Sequence, residues 1–255
     1  MVDIHNHLLY GVDDGAKTLE EALVALEKAK ELGFDSIVFT PHYIKGSRFV
    51  SNVMENTKKV DSLRKELENR GISIDLYLGN EIYFENDMYK LVLEKEVATM
   101  NNSRYLLFEL PMMNEVNNLK EVIFSLRVKG LIPIIAHPER YTYFQKNPND
   151  MIDLIDQGCL FQCNIGSLSG VYGKPACKCV KVLLKHNLVH FMATDVHRPD
   201  GKDYTEFLQS KSLLEKLVGE EYTKELIEIN PSRIIEDKDV IVRKAMDVKK
   251  RLFFF

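Results

Sequence analysis

A chain of 255 residues with 45% hydrophobic and 28% charged content can bury a large α/β core, and that balance excludes global disorder. A net charge of −4 and an isoelectric point near 6.0 argue against an electrostatic grip along nucleic acid. Met1 to Tyr10 lacks the basic and uninterrupted apolar segments of a secretory signal, and no apolar run approaches the ~20 residues that span a bilayer, so the expectation is a cytoplasmic protein without stable membrane insertion.

Short runs of β-forming residues alternate with amphipathic stretches from end to end, the pattern of a parallel sheet with crossover helices. Val2 to His5 is the first run. Thr18 to Leu32 follows as a helix, with Ala22, Leu23, Leu26 and Ala29 at helical spacing and Gly33 as its stop. Ser36 to Thr40 is the second strand, Asn52 to Arg70 a charged surface helix closed by Gly71, and Ser73 to Leu78 the third strand. A short helix over Asp87–Glu94 leads to a fourth strand at Tyr105–Phe108. The beat continues with Leu119–Lys129 helical, Ile132–Ala136 extended, Asn149–Gln157 helical and Leu160–Cys163 extended. Pro175–His186 is then helical, Val189–Ala193 extended, and Thr205–Leu217 and Glu221–Ile229 are closing helices. That makes seven strands, and with no linker or repeat to divide the chain, one barrel-like or doubly wound α/β domain over residues 1–255 is the economical reading. Its core ends near 235, and residues 236–255 read as a helical tail on their own domain, with basic Arg243, Lys244, Lys249, Lys250 and Arg251 before Leu252-Phe253-Phe254-Phe255.

A histidine or acid stands at or just past the carboxyl end of nearly every strand: His5 and His7, His42, Glu81, Glu109, His137, then Asp195 and His197. In parallel α/β folds those ends converge on one face, and that face carries the chemistry. Singly, Asp195 or Glu81 reads as a helix cap and His42 or His137 as a buried histidine satisfied by backbone. Capping and packing do not account for the set. Imidazoles and carboxylates without a thiolate suit borderline to hard divalent ions such as Mn²⁺, Zn²⁺ or Fe²⁺. His186, at a helix end, and His190, entering a strand, read as structural. Arg140, three residues beyond His137, Arg198, directly after His197, and Arg48 with Lys45, after His42, are candidates to face an anionic substrate. Cys159, Cys163, Cys177 and Cys179 suit free thiols in a reducing compartment. The sixth residue after each is Ile165, Ser169, Leu183 or Lys185, so none has the arginine a thiolate phosphatase needs.

As a set these residues resemble the polymerase and histidinol phosphatase (PHP) superfamily, with its opening His-x-His, early Asp and closing Asp-x-His. Asp3-Ile4-His5-Asn6-His7, Gly11-Val12-Asp13-Asp14-Gly15, Thr40-Pro41-His42, Gly79-Asn80-Glu81-Ile82, Ala136-His137-Pro138-Glu139-Arg140 and Thr194-Asp195-Val196-His197 resemble more closely the bacterial tyrosine-protein phosphatases of capsule and exopolysaccharide loci, the CpsB/YwqE type. The resemblance implies a distorted seven-stranded (β/α)7 TIM-like barrel with two or three divalent ions, manganese by preference. One ion would take His5, His7, Glu81 and Asp195; a second would share Glu81 and take Glu109 and His137; a third would take Asp14, His42 and His197. It implies a phosphoric monoester hydrolase that attacks phosphotyrosine with metal-activated hydroxide. The implied partner is a phosphorylated protein, a bacterial tyrosine kinase of capsule synthesis first among them, and a homo-oligomer is compatible with the sequence. The rival readings are a PHP phosphoesterase acting on histidinol phosphate or a nucleotide, a metal-dependent amidohydrolase, and a non-catalytic metal-binding regulatory module.

Overall fold

The computed structural model describes residues 1–50, 52–197 and 202–249. In chain order its elements are β1 (Val2–Asp3), α1 (Leu19–Glu31), β2 (Ser36–Phe39), β3 (His42–Tyr43), α2 (Val53–Asn69), β4 (Asp75–Leu78), β5 (Glu81–Tyr83), α3 (Met88–Leu93), β6 (Tyr105–Glu109), α4 (Leu119–Val128), β7 (Ile132–Ala136), α5 (Thr142–Lys146), α6 (Asp150–Asp156), β8 (Leu160–Asn164), α7 (Gly173–Lys185), β9 (Phe191–Ala193), α8 (Lys202–Val218), α9 (Glu220–Lys224) and α10 (Asn230–Ile235). The helix starts follow capping chemistry: the Thr18 hydroxyl accepts the Glu21 N–H at 3.2 Å and the Asn52 side-chain oxygen Oδ1 accepts that of Glu55 at 3.0 Å. A π-helical stretch, Glu225–Ile229, joins α9 to α10.

All strand pairs are parallel, in two sheets ordered β1-β2-β4 and β3-β5-β6-β7-β8-β9. The division is local. Pro41 separates β2 from β3, and Gly79-Asn80 separates β4 from β5, yet hydrogen bonds cross the gap from Gly79 N to Phe39 O at 2.8 Å and from Glu81 N to Pro41 O at 3.1 Å. Each split pair therefore acts as one kinked strand. β9 returns to β1 through the Asn6–Val196 bridge and bonds from Asp195 N to His5 O and His7 N to Val196 O, both 2.8 Å. The result is a distorted (β/α)7 barrel, closed at its carboxyl rim.

Strand alternation divides the barrel into layers. Val2, Ile4, Val38, Tyr105, Leu107, Ile132, Ile134, Ala136, Leu160, Phe191 and Ala193 pack as an interior plug, floored by Met100 and by Ile234 of α10. Their out-of-phase neighbours, among them Ile37, Phe39, Leu106, Phe108, Ile135 and Phe161, pack against the helices. Continued upward, the interior positions change character: Tyr105 and Leu107 lead to Glu109, Leu160 to Gln162 and Asn164, Phe191 and Ala193 to Asp195. An apolar plug thus supports a polar upper layer.

The expected helical tail is not a helix over residues 238–249. This segment is an extended strap, because its backbone groups are held from the side. Asn230 accepts the Ile241 N–H at 2.8 Å and donates to its carbonyl at 3.0 Å. Asn149 grips Val248 in the same way, at 2.8 and 3.2 Å. Between them Arg243 makes a two-pronged pair with Glu225 at 2.7 and 2.6 Å over the ring of Tyr222. Residues 250–255, which hold Lys250, Arg251 and the three terminal phenylalanines, lie outside the described residues. Among the described residues no helix is long and apolar enough to cross a membrane.

His190 lies beneath β9, fully enclosed, and its Nδ1 accepts the Phe161 N–H at 3.1 Å. Burial pulls its pKa down from 6.5 to about 4. The unfolded chain therefore binds a proton that the folded one refuses, and stability is lost as pH falls through this window. Between pH 7 and pH 5 this one group should cost about 2 kcal/mol. Urea denaturation at both pH values should show that loss shrinking in His190→Leu, even though the variant starts less stable.

Candidate metal centre

Nine sequence-selected side chains meet above the plug, arriving from β1, β3, β5, β6, β7 and β9 or the loops beside them. Four overlapping groups bring ligand atoms within 4.8 Å of one another: His7, Asp14, His42 and His197; His5, His7 and Glu81; His5, His137 and Asp195; and His42, Glu81 and Glu109. His5, His7, Glu81, Glu109, His137 and Asp195 are buried, while Asp14 and His197 stand at the mouth.

Glu81 is the hub. Its Oε1 lies 2.9 Å from His137 Nε2, and its Oε2 lies 3.0 Å from His42 Nδ1, 3.3 Å from His5 Nε2 and 3.4 Å from His7 Nε2. Asp195 Oδ1 faces His5 Nε2 at 3.5 Å and His7 Nε2 at 3.4 Å. Glu109 approaches His42 at 3.6 Å and His137 at 3.8 Å, and Asp14 approaches His42 at 3.7 Å and His197 at 3.6 Å. Burial raises the Glu81 carboxyl, but the surrounding imidazoles outweigh it and hold the group well below the usual carboxylate range. Burial and the Glu81 charge push Glu109 the other way. Burial lowers His5, yet Glu81 and Asp195 more than reverse it and lift the imidazole to about 9.

The donor set fits divalent cations. His5 Nε2, His7 Nε2, His42 Nδ1 and Glu81 Oε2 are buried and make no hydrogen bond. Orphaned buried polar atoms are costly, and these four crowd around common points. Nitrogen and carboxylate oxygen without sulfur is a borderline-to-hard set.

The backbone is bent to make this happen. His137 (φ 36°) and Asp195 (φ 54°) both occupy the left-handed region, where each non-glycine residue costs on the order of 1–3 kcal/mol. Ala136 already points into the plug, so simple alternation would turn His137 outward, and the left-handed turn brings it back over the cavity. Gly15 answers another constraint, since a Cβ there would collide with the His7 carbonyl.

Asp13 belongs to the site although only Asp14 stands out in the sequence. Its Oδ2 meets His7 Nδ1 at 2.8 Å and accepts the His42 N–H at 3.1 Å, while Oδ1 accepts the Gly15 N–H at 2.9 Å. An acceptor-only carboxylate makes His7 Nδ1 the donor and frees Nε2 as a lone pair. The only sequence cue was its place in the Asp13-Asp14 pair.

The arginines divide. Arg140 Nη1 donates to Asp195 Oδ2 at 3.1 Å, and its guanidinium lies 4.8 Å from the Tyr172 ring centre. Arg48 is exposed over the ring of Phe49, which stacks 6.0 Å from His42. Arg198 lies outside the described residues. His186, bonded to Val182 O at 2.8 Å at the end of α7, and His190 fall in none of the four groups. The cysteines are free, and burial pushes Cys179 up to about 12 and Cys159 and Cys163 further, which suits inert thiols.

Residues 1–236 match the family described as capsular polysaccharide synthesis, CpsB/CapC. The chain is 32% identical over 246 residues to the tyrosine-protein phosphatase CpsB of Streptococcus pneumoniae, covering 93% of this chain and 99% of the relative. It is 28% identical over 254 residues to the tyrosine-protein phosphatase YwqE of Bacillus subtilis, covering 100% and 99%. The solved structure described as YwqE from B. subtilis and CpsB from S. pneumoniae, metal-dependent tyrosine phosphatases, matches with a TM-score of 0.91 at 27% identity, over 98% of this chain and 100% of that one.

If Glu81 is the hub for cations, adding Mn²⁺ to chelator-treated protein should raise the melting temperature by several degrees, because a ligand that binds only the folded state stabilises it. Glu81→Gln should abolish that rise while leaving a folded barrel by circular dichroism.

Proposed function

The chain belongs to the CpsB/CapC family of capsular polysaccharide synthesis, and from that footing we propose that it is a metal-dependent tyrosine-protein phosphatase. The observation that carries the reading is the cluster of buried imidazole and carboxylate atoms without hydrogen-bond partners, centred on Glu81. Its substrate would be phosphotyrosine on a protein, with a bacterial tyrosine kinase of capsule or exopolysaccharide synthesis as the partner. Residues 1 to about 235 form the phosphoesterase domain in this proposal, the strap belongs to the same unit, and the free thiols suit a cytoplasmic setting.

His5, His7, Glu81 and Asp195 would hold one ion, Glu81, Glu109 and His137 a second, and Asp14, His42 and His197 a third. The groups overlap at His5, His7, His42 and Glu81, as suits ligands shared between neighbouring ions. Mn²⁺ is the favoured metal, with Fe²⁺ and Zn²⁺ as alternatives for the same donors. Such ions supply Lewis acidity, bringing the pKa of water towards neutrality and offsetting charge on phosphoryl oxygens.

The chain's own residues do the rest. Arg140 is oriented by Asp195 on one edge and Tyr172 beneath its face, which leaves further N–H groups to bind a phosphoryl oxygen. Arg48 and Phe49 flank His42 at the mouth, where a cation and an aromatic face suit a phosphorylated phenyl group. Arg198 is retained as a third phosphate-binding candidate from its place after His197. The leaving phenolate has a parent pKa near ~10, so its departure needs less help than that of an alkoxide.

Chelator-stripped protein should hydrolyse a phosphotyrosine peptide only after Mn²⁺ is restored, and faster than histidinol phosphate or AMP. Preference for either small phosphate would overturn the substrate. No turnover of any of the three would leave a binding module. Arg140→Met should lower kcat/KM for the peptide by about 10²-fold, the loss of a charge-assisted contact to the transferring group.

A further inference from the structure

Among the described residues, and with each kinked pair taken as one strand, β8 is the one of the seven barrel strands that sends no candidate ligand into the cluster, yet its two upper inward residues are polar and fully buried. Gln162 Oε1 meets His5 Nδ1 at 2.7 Å, Gln162 Nε2 donates to Asn164 Oδ1 at 3.0 Å, and Asn164 Nδ2 donates to Asp195 Oδ2 at 2.5 Å. The row joins His5 on the first strand to Asp195 beyond the last. Asn164 is itself pinned, because its N–H donates to Glu139 Oε1 at 3.0 Å, and the same oxygen accepts the Ser167 hydroxyl at 2.7 Å.

Each amide in the row can face either way, so one end must set its direction. An ionised carboxylate only accepts. Asp195 Oδ2 therefore requires the NH₂ of Asn164, which turns Asn164 Oδ1 towards Gln162. That oxygen requires the NH₂ of Gln162, which turns Gln162 Oε1 towards His5. In the neutral ring that a cation would meet, His5 Nδ1 must then carry the proton, and Nε2, the atom facing Glu81 and Asp195, keeps its lone pair.

We propose that Gln162 and Asn164 are positioning residues, an amide relay that transmits the acceptor polarity of Asp195 to His5 and presents both to the same cation. His7 obtains the same result directly from Asp13. The relay lets one carboxylate serve twice, with Oδ1 turned into the cluster and Oδ2 setting the tautomer of a histidine on the opposite side of the barrel seam. This inference rests on the metal-centre reading above.

The test compares Mn²⁺ affinity by chelator competition, and the visible spectrum of the Co²⁺-loaded protein, for wild type, Gln162→Met, Asn164→Ala and the double variant. Each single variant should weaken binding by about 10- to 100-fold and alter the Co²⁺ bands, the usual scale for losing an outer hydrogen-bond partner of a ligand. The double variant should lose less than the product of the two single factors, because a relay broken once has little left to lose. If Gln162→Met does not fold, Gln162→Glu replaces it. It keeps an acceptor for His5 but forces the Asn164 amide to turn over, so that adding Asn164→Ala should change affinity no further. Wild-type affinity and spectrum in either folded single variant, or factors that simply multiply, overturn the relay alone. A wild-type protein that binds neither ion overturns the metal-centre reading and the relay with it.

Discussion

A carboxylate cannot be left charged and unanswered inside a protein, and the upper layer of this barrel is organised around that constraint at Glu81. Four imidazoles from three segments converge on its two oxygens, at 2.9 to 3.4 Å. Such crowding of potential cations around one acid, with Asp195 on the other side, is stable when positive charge is present, as protons on histidines or as divalent ions. The apolar plug beneath supplies the low-dielectric floor that makes the demand strict.

Satisfying it shapes the backbone and the next layer of side chains. His137 accepts a left-handed conformation so that its side chain reaches the cavity, and Asp195, already at an inward position, accepts one as well. Asp13 fixes His7, and Gly15 gives up its side chain so that the loop carrying Asp13 can lie on the His7 carbonyl. Asp195 is gripped on its outer oxygen by Asn164 and Arg140. The arginine proposed to meet phosphate thus also orients the carboxylate proposed as a metal ligand, which would link substrate contact with ligand geometry through one side chain.

The strap shows how an extended segment can be specified without a sheet. Asn230 and Asn149 each mimic a neighbouring strand by offering a carbonyl and an amide to one residue of the strap. Arg243 lies flat on Tyr222 while pairing with Glu225, next to the π-helical turn. The alternation of Ile241, Arg243 and Ala245 against exposed Val242, Lys244 and Met246 is a period of two, and a mixture of apolar and basic residues is equally at home in a short terminal helix.

Periodicity and punctuation decided much of this protein in the sequence alone. The Thr18 and Asn52 caps, the glycine stops and the apolar runs marked helices and strands to within a few residues, because those signals act on the local backbone. Strand ends carrying histidine or acid marked the ligand candidates, since a parallel fold brings those ends together whatever their separation along the chain. What the sequence could not decide depends on partners far apart in it. Pro41 and Gly79-Asn80 kink two strands without breaking them, which only ladder bonds to neighbouring strands reveal. Gln162 and Asn164 look like unremarkable strand residues until His5 and Asp195 stand at either end of them, and the tail is held as a strap by groups distant in sequence, Asn149, Asn187 and Asn230 among them. Local physics sets the elements; the direction of a hydrogen bond between distant elements exists only once the barrel has closed.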